Sequence, residues 1–542
     1  MHNNQNKKKS DYNWRDIDSF DNLTSEDEEA LYALLTEDSK EGRKFRKKEE
    51  KEKKEGKEEK EDTYHMVSGE ENTIVSLPYS VLQPQLEDQE NQQEKNNLRF
   101  IIGKKVVGSG GFSKVKKLKG TIDVDTEQQK VTVSKSSAWV VKVQGLSIPE
   151  KREGISLEAW KEAVNNRIQL WKKEKRKEFQ LTKLVYPEAK HCFESSEDDK
   201  KHKHYLIIPK CPGRRLHEIL KELNNFNFLE RLEMAIAIAQ AIKEVHKKGI
   251  VHRDISPRNI FYDKDTKKAY IIDFGLSKLA GEVDGITGGN LNYMAPETVE
   301  AKRDFSADVF SFGGVLLEIL GATNISEKRL PYQGNKDILK NIPTIKTQGF
   351  NFAGFLKGIP GLETEHDQHE LRPFLKITTA LKKSQRHNLT QVVDKLRAVK
   401  YSEIVAGKPY EKELLEVFNL LQKRIEALER WNFINVTDHR KADLLRELQD
   451  AIIDPSNVDK TLAVILEKWE EVEHTYRHCN RRSNEKENVA TKIVIGAHRN
   501  CFFTPSRLTA TEDLIKQLKE DKYKDLSLGN EKQKLLAAYL QT

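Results

Sequence analysis

Apolar positions fall into three regimes along this 542-residue chain. Over residues 1 to 97 they are sparse. Lys40 to Asp62 is almost wholly Lys, Arg, Glu and Asp, with Phe45 its only large apolar residue. Such a run cannot bury enough apolar surface to offset its ordering entropy, which predicts a mostly disordered arm or a solvated helix. Ahead of it, Ser25-Glu26-Asp27-Glu28 precedes Ala30-Leu31-Tyr32-Ala33-Leu34-Leu35. That is the pattern of a short capped amphipathic helix, able to dock on the folded body or on a partner. From Leu98 the pattern turns to strand. Arg99 to Ile102, Lys105 to Val107, Ala138 to Val143 and His204 to Ile208 are strand-like, and Thr121 to Ser137 reads as a long polar insertion. Helical spacing follows over Lys172 to Val185. Ser156 to Trp171 reads as an extra helix, and Phe228 to His246 as a strongly periodic one. Phe352 to Val399 is helical again. Beyond residue 400, Glu411 to Trp431, Asp438 to Ile453 and Val458 to Tyr476 read as amphipathic helices with short connections, hence a small antiparallel bundle. The whole predicts an α+β chain, sheet first and helices after.

Composition narrows the class. No apolar run approaches the ~20 residues of a membrane helix, and the first residues lack an apolar signal region. Four Cys in so long a chain argue against a disulfide framework and for a reducing, cytoplasmic setting. The formal charge of +7 is small for this length, and its acidic and basic residues are interleaved, so no nucleic-acid partner is expected. His474, His478, Cys479, His498 and Cys501 can be written as a metal site, but their spacing fits no zinc pattern.

Candidate chemistry begins at Val251-His252-Arg253-Asp254-Ile255-Ser256-Pro257-Arg258-Asn259. Asp254 and Asn259, on a loop between apolar runs, can face one point. The carboxylate there can take a proton from a hydroxyl, and the amide can hold a metal ion. Asp273-Phe274-Gly275 arrives at the end of the strand-like run Ala269 to Ile272. These are parts that phosphoryl transfer needs; turn chemistry alone is the plainer alternative. Gly108-Ser109-Gly110-Gly111-Phe112-Ser113 can bring backbone N–H groups close to phosphates, although Gly-rich hairpins are common. Lys142 alternates with apolar residues. It is either a paired buried ammonium or a snorkelling edge lysine.

Taken in order, these motifs resemble the eukaryotic-type protein kinases over residues 98–400. The resemblance implies a bilobal fold, with a small β-rich lobe at 98–208 and a large helical lobe at 214–400. An arm at 1–97 and a helical region at 401–542 flank it. It implies ATP and Mg2+ as cofactors. Asp254 would be the base, and Asn259 and Asp273 the magnesium ligands. Lys142 would grip the ATP phosphates, paired with Glu178 rather than Glu174. Gly108, Ser109, Gly110, Gly111 and Phe112 would cover the nucleotide. Val115, Val140, Ile208, Pro209, Cys211 and Phe261 would surround the adenine. Asp308 would brace the catalytic loop, and Arg386 would pair with Glu297 of Ala295-Pro296-Glu297. Arg253 would receive a phosphate on Thr287, unless Glu282 and Asp284 substitute for it; unchanged activity in Thr287→Ala would count against phosphorylation.

The sequence departs from the family at three places. Ser113 replaces a third Gly. Ser256 and Asn290 stand where serine/threonine kinases usually carry Lys and Thr, so a bridge from either to Asp254 would be rebuilt. The implied substrates are Ser/Thr hydroxyls of proteins, with a scaffold-type pseudokinase, a small-molecule kinase and dual or Tyr specificity as rivals. The Lys-, Glu- and Asn-rich texture resembles the secreted kinase effectors of intracellular bacteria such as Legionella, and equally a protist kinase. The effector resemblance implies host signalling proteins as targets, the host cytosol as the site of action, and C-terminal helices that bind a partner or the kinase domain.

Overall fold

The computed structural model describes most of residues 98–430, with breaks chiefly at 110–112, 196–200, 283–288, 323–346 and 351–364. Short stretches within 28–32, 65–77 and 442–453 complete it. The sheet begins with β1 (His65–Ser68), β2 (Asn72–Leu77), β3 (Leu98–Ser109), β4 (Ser113–Asp125), β5 (Lys130–Lys135) and β6 (Trp139–Ser147). After α1 (Leu157–Val185), β7 (Lys190–Ser195) and β8 (Lys201–Pro209) complete it. Strand order is β1-β2-β3-β4-β6-β8-β7, with β5 paired to β4. Phe100, Ile102, Leu118, Val141, Cys192, Tyr205 and Ile207 form its apolar core.

Three sequence expectations need correction. Residues 65–68 and 72–77, within the stretch read as disordered, are strands, and β2 pairs along β3 from Leu77–Leu98 to Asn72–Gly103. The polar insertion at 121–137 is not a loop: β4 continues to Asp125 and pairs with β5 through Val124–Val131. Alternating Val131 and Val133 were the missed signal. The extra helix does not exist as a separate element. It is the first half of one 29-residue helix, α1, capped by Ser156 accepting from Ala159 N at 3.1 Å. No Gly or Pro interrupts Leu157 to Val185, so nothing stops it.

The large lobe follows a turn at Gly213. Its φ of +77° and a would-be Cβ 2.2 Å from the Tyr262 carbonyl oxygen leave room only for glycine. Then come β9 (Arg214–Arg215), α2 (Leu216–Ile219), α3 (Phe228–Lys247), β10 (Ile250–Val251), β11 (Ile260–Asp263), β12 (Lys268–Ile271) and β13 (Lys278–Leu279). The described helices that follow are α4 (Phe305–Ile319), α5 (Glu365–Thr378), α6 (Leu389–Val405) and α7 (Glu411–Arg430). A capping box of Asn227 and Glu230 starts α3, and a second of Asn388 and Gln391 starts α6. Leu232, Ile238 and Ile242 of α3 meet Phe310, Phe312 and Leu316 of α4 in one large core, which also takes in Leu181 of α1 and Phe274. That continuity ties the position of α1 to the loop at Asp273.

The expected helix at 411–431 is α7, and it packs on α6 with Tyr401 stacked on Phe418 at 4.9 Å. Arg397 bonds Asp450 at 2.8 Å, so residues near 450 sit on the same surface. The expected helix at 458–476 and the His/Cys group from His474 onward lie outside the described residues.

Candidate active site

Strand alternation brings Lys142 to the inner face of β6, where it is 8% exposed. Its Nζ lies 2.7 Å from Glu178 Oε1 and 2.7 Å from Asp273 Oδ1. Glu178 is buried on α1, whereas the rival Glu174 is exposed. Burial works against the ammonium, but Asp273 and Glu178 outweigh it and hold the Lys142 pKa above its usual value. Sequence reasoning missed the support behind Glu178. Gln144 lies two residues after Lys142, hence on the same face. With its amide turned to satisfy both neighbours, Gln144 donates to Glu178 Oε2 at 3.1 Å and accepts from Lys175 Nζ at 3.0 Å. It also meets His204, which contacts His191 at 3.3 Å. His204 is fully buried, and burial drives its pKa well below normal, so its ring stays neutral behind the Lys142–Glu178–Asp273 triad.

The catalytic-type loop is held from below. Fully buried Asp308 accepts from the backbone N–H groups of His252 and Arg253, both at 2.7 Å, and from His246 Nε2 at 2.9 Å. Burial alone would raise its pKa; these donors reverse the sign and keep it charged. Arg253 takes a left-handed φ of 71°, which turns Asp254 toward the cleft. Asn259 Nδ2 donates to Asp254 Oδ2 at 2.7 Å and to its carbonyl at 2.9 Å. The backbone N–H of Asn290 donates to Asp254 Oδ1 at 2.7 Å, while the Asn290 side chain accepts from Asn292 N at 3.3 Å. The expected rebuilt contact therefore exists on the Asn290 side, through main chain rather than side chain. Ser256 is buried, and its carbonyl accepts from Asn259 N at 2.9 Å. Burial raises the Asp254 pKa, against the Asn290 N–H and Asn259.

Asp273 also sits at positive φ, 69°, with Gly275 N 3.2 Å from its Oδ1. Burial would raise its pKa, but Lys142 lowers it on balance. Phe274 is buried, edge-on to His252 at 5.2 Å and to Tyr186 at 6.5 Å. The residues fit a divalent cation. Asn259 commits its nitrogen to Asp254, which leaves its oxygen as the ligand atom. Asp273 commits Oδ1, which leaves Oδ2. Among the described residues no group of three or more His, Cys, Asp or Glu is placed to hold a metal, so such an ion would draw its remaining ligands from phosphate and water.

Above this point, Gly108 and Ser109 end β3 opposite Val115 and Lys114. Gly110, Gly111 and Phe112 lie outside the described residues. Val115 pairs with Lys142, and Val140 with Ile208. Val115, Val140, Ile208, Pro209 and Phe261 are all half-buried, as the lining of an open slot must be. At the crossing between lobes Lys210 N donates to Ala138 O at 2.7 Å. The Cys211 thiol lies 3.8 Å from the Tyr186 hydroxyl, and burial pushes its pKa up to about 11, a poor nucleophile.

Residues 151–396 match the protein kinase domain family. This part of the chain is similar to the protein kinase domain. The match begins after Lys142, which the ion pairs above join to it. The chain is 36% identical over 121 residues to a probable serine/threonine-protein kinase of Clostridium acetobutylicum, covering 21% of this chain and 18% of the relative. It is 33% identical over 156 residues to the serine/threonine-protein kinase VIK of Arabidopsis thaliana, covering 27% and 36%. A calcium-dependent protein kinase 5 of Plasmodium berghei is 28% identical over 188 residues, covering 34% and 31%. The chain thus spans about a third or less of each of these relatives.

Below the cleft, Arg386 forks onto both oxygens of Glu297, with Nη2 to Oε2 at 2.7 Å, and also donates to the carbonyls of Ser306, Ala380 and Leu381. Tyr293 donates to both oxygens of Glu318 at 2.8 Å, a pair the sequence did not reveal. Burial pushes the Glu318 carboxyl up to about 7 despite that donor. Glu282, one of the acidic pair expected to substitute for a phosphate if Thr287 carries none, pairs with Lys177 on α1. Thr287 and Asp284 lie outside the described residues. Among the described residues no helix is long and apolar enough to cross a membrane.

Proposed function

We propose that the chain is an ATP-dependent protein kinase that phosphorylates Ser or Thr hydroxyls of protein substrates. The observation carrying this reading is the joined geometry of Lys142, Glu178 and Asp273 beside Asp254, which is held by Asn259 and the Asn290 N–H. A pseudokinase usually lacks a member of this set. ATP would supply the phosphoryl group, and Asn259 and Asp273 would hold the Mg2+ that offsets the charge of its phosphates. Lys142, charged and fixed by Glu178, orients phosphate oxygens. Asp254, its oxygens aimed by two donors, receives or orients the proton of the attacking hydroxyl. Adenine would lie among Val115, Val140, Ile208 and Phe261, with its edge on the backbone of Pro209 and Cys211. Gly108 to Phe112 would cover the phosphates.

The test is incubation of the purified chain with labelled ATP and magnesium beside Lys142→Met and Asp254→Asn. Label on protein Ser or Thr in the wild type only supports the reading. Equal labelling of all three, or none in any, overturns it. Phosphoamino-acid analysis separates Ser/Thr from Tyr. The Lys-, Glu- and Asn-rich texture and the Ser256-type loop support a further reading as a bacterial effector acting on host signalling proteins. A translocation reporter fused to the full chain tests it, and retention of the fusion in the bacterium argues against it.

A further inference from the structure

The large-lobe rim of the cleft carries cations that the chemistry above does not use. Arg215 ends β9, opposite Phe261 of β11. Its guanidinium carbon lies 5.6 Å from the Phe261 ring centre, and its Nη2 would lie 3.0 Å from a Cβ built on Gly108. The side chain therefore bridges the lobes at the mouth of the slot. Arg258 is exposed, four residues after Asp254, on the turn Pro257–Asn259, which packs on β9 and α2. His217 of α2 lies amid this group. Besides burial, the positive charges of Arg215, Lys221 and Arg258 hold its pKa down, against Glu218. Arg258 also acts on Tyr293, so it stands between α2 and the loop that reaches Asp254 through Asn290.

Charge is not balanced here. Arg214 is neutralised by a two-pronged pair with Glu222 at 2.9 and 3.0 Å. Among the described residues neither Arg215 nor Arg258 has an ion-pair partner, which leaves Arg215, Lys221 and Arg258 against Glu218. Nucleotide phosphates would be drawn inward to Lys142. Arg258 is exposed on the same loop as Asp254, the group to which a peptide would present its hydroxyl. A low-dielectric cleft with one sign of charge at its rim concentrates ligands of the other sign.

We propose that Arg215 and Arg258 form a cationic rim that selects acidic peptide substrates, with Asp or Glu flanking the Ser or Thr presented to Asp254. The proposal rests on the kinase reading for its substrate and on the rim alone for its charge. The rim favours carboxylates on the peptide strand and repels Lys and Arg there. Screening by salt should erode the preference.

Two Ser peptides, identical but for Glu or Lys flanks, are compared on the full-length wild type, Arg258→Gln, Arg258→Glu and Arg215→Glu/Arg258→Glu. In the transfer arm the acidic-to-basic ratio of kcat/KM should favour the acidic peptide in the wild type. It should fall roughly tenfold in the double reversal, with Arg258→Gln intermediate. In the binding arm, full-length Asp254→Asn with a non-hydrolysable ATP analogue should bind the labelled acidic peptide more tightly than the basic one by anisotropy. The same reversals should abolish that difference, while Arg258→Glu keeps the analogue's affinity within about twofold. No wild-type preference, a ratio unmoved by the reversals, or a loss confined to the nucleotide overturns the proposal. A chain that transfers no phosphate defeats the kinase reading, and the binding arm still decides the rim.

Discussion

Glu318 offers the sharpest test of the large-lobe electrostatics. Its carboxyl accepts both contacts from Tyr293, yet burial lifts its pKa to about 7 from a usual value of 4.5. A group that binds its proton more tightly when folded adds stability below its unfolded pKa and loses it as pH rises through the folded value. The gap of 7 − 4.5 is worth at most about 3 kcal/mol, lost between about pH 4.5 and pH 7. Glu318→Gln removes the titration and keeps an acceptor for the Tyr293 hydroxyl. At pH 5 the variant should match the wild type or fall about 1 kcal/mol below it through the lost second contact. At pH 8 it should be the more stable, by up to about 3 kcal/mol, or several degrees in Tm. Urea and thermal unfolding at several pH values read the difference. A difference that does not change with pH between these limits refutes the reasoning, because burial of a charge is its only source.

Three further outcomes follow from named contacts. Arg386→Met leaves Glu297 as a buried carboxylate without its fork and should cost about 3–5 kcal/mol, with Glu297→Gln in the same chain recovering part of it; a double variant as unstable as the single speaks against the pair, as read by chemical denaturation. Asn290→Ala should keep phosphoryl transfer within about threefold, since only the main chain of that residue reaches Asp254, and a loss of a hundredfold would show that the side chain matters. Glu282→Lys puts like charges between the segment and α1, which carries Glu178; the KM for ATP should rise several-fold, and an unchanged value would free Glu178 from this brace.

Much of the site was legible because its chemistry needs fixed residue types at short spacing. Asp254 and Asn259 share one loop, so a five-residue interval sufficed to pair them. Glu178 was separable from Glu174 because the apolar residues after it follow helical spacing, and the fold buries Glu178 and leaves Glu174 exposed. What stayed hidden depends on pairs distant in sequence. Gln144, His204 and His191 meet behind Glu178 only because β6, β8 and β7 are neighbours in the sheet. Glu282 finds Lys177 through a crossing that no periodicity encodes. The extra strands β1, β2 and β5 were missed for a different reason. Short strands owe their stability to a partner edge, and the edge at β3 and β4 exists only once the sheet is built.

The sequence by itself determined the order of motifs, the identity of the chemical groups and the helices with a strong apolar period, since those are local properties of the chain. Tertiary structure alone decided that Asn290 serves Asp254 by its backbone, that α1 runs unbroken into the site, and that Arg215 and Arg258 share a rim with little to neutralise them. Those outcomes depend on which surfaces pack together. Packing is a sum over distant residues, and no window of sequence contains it.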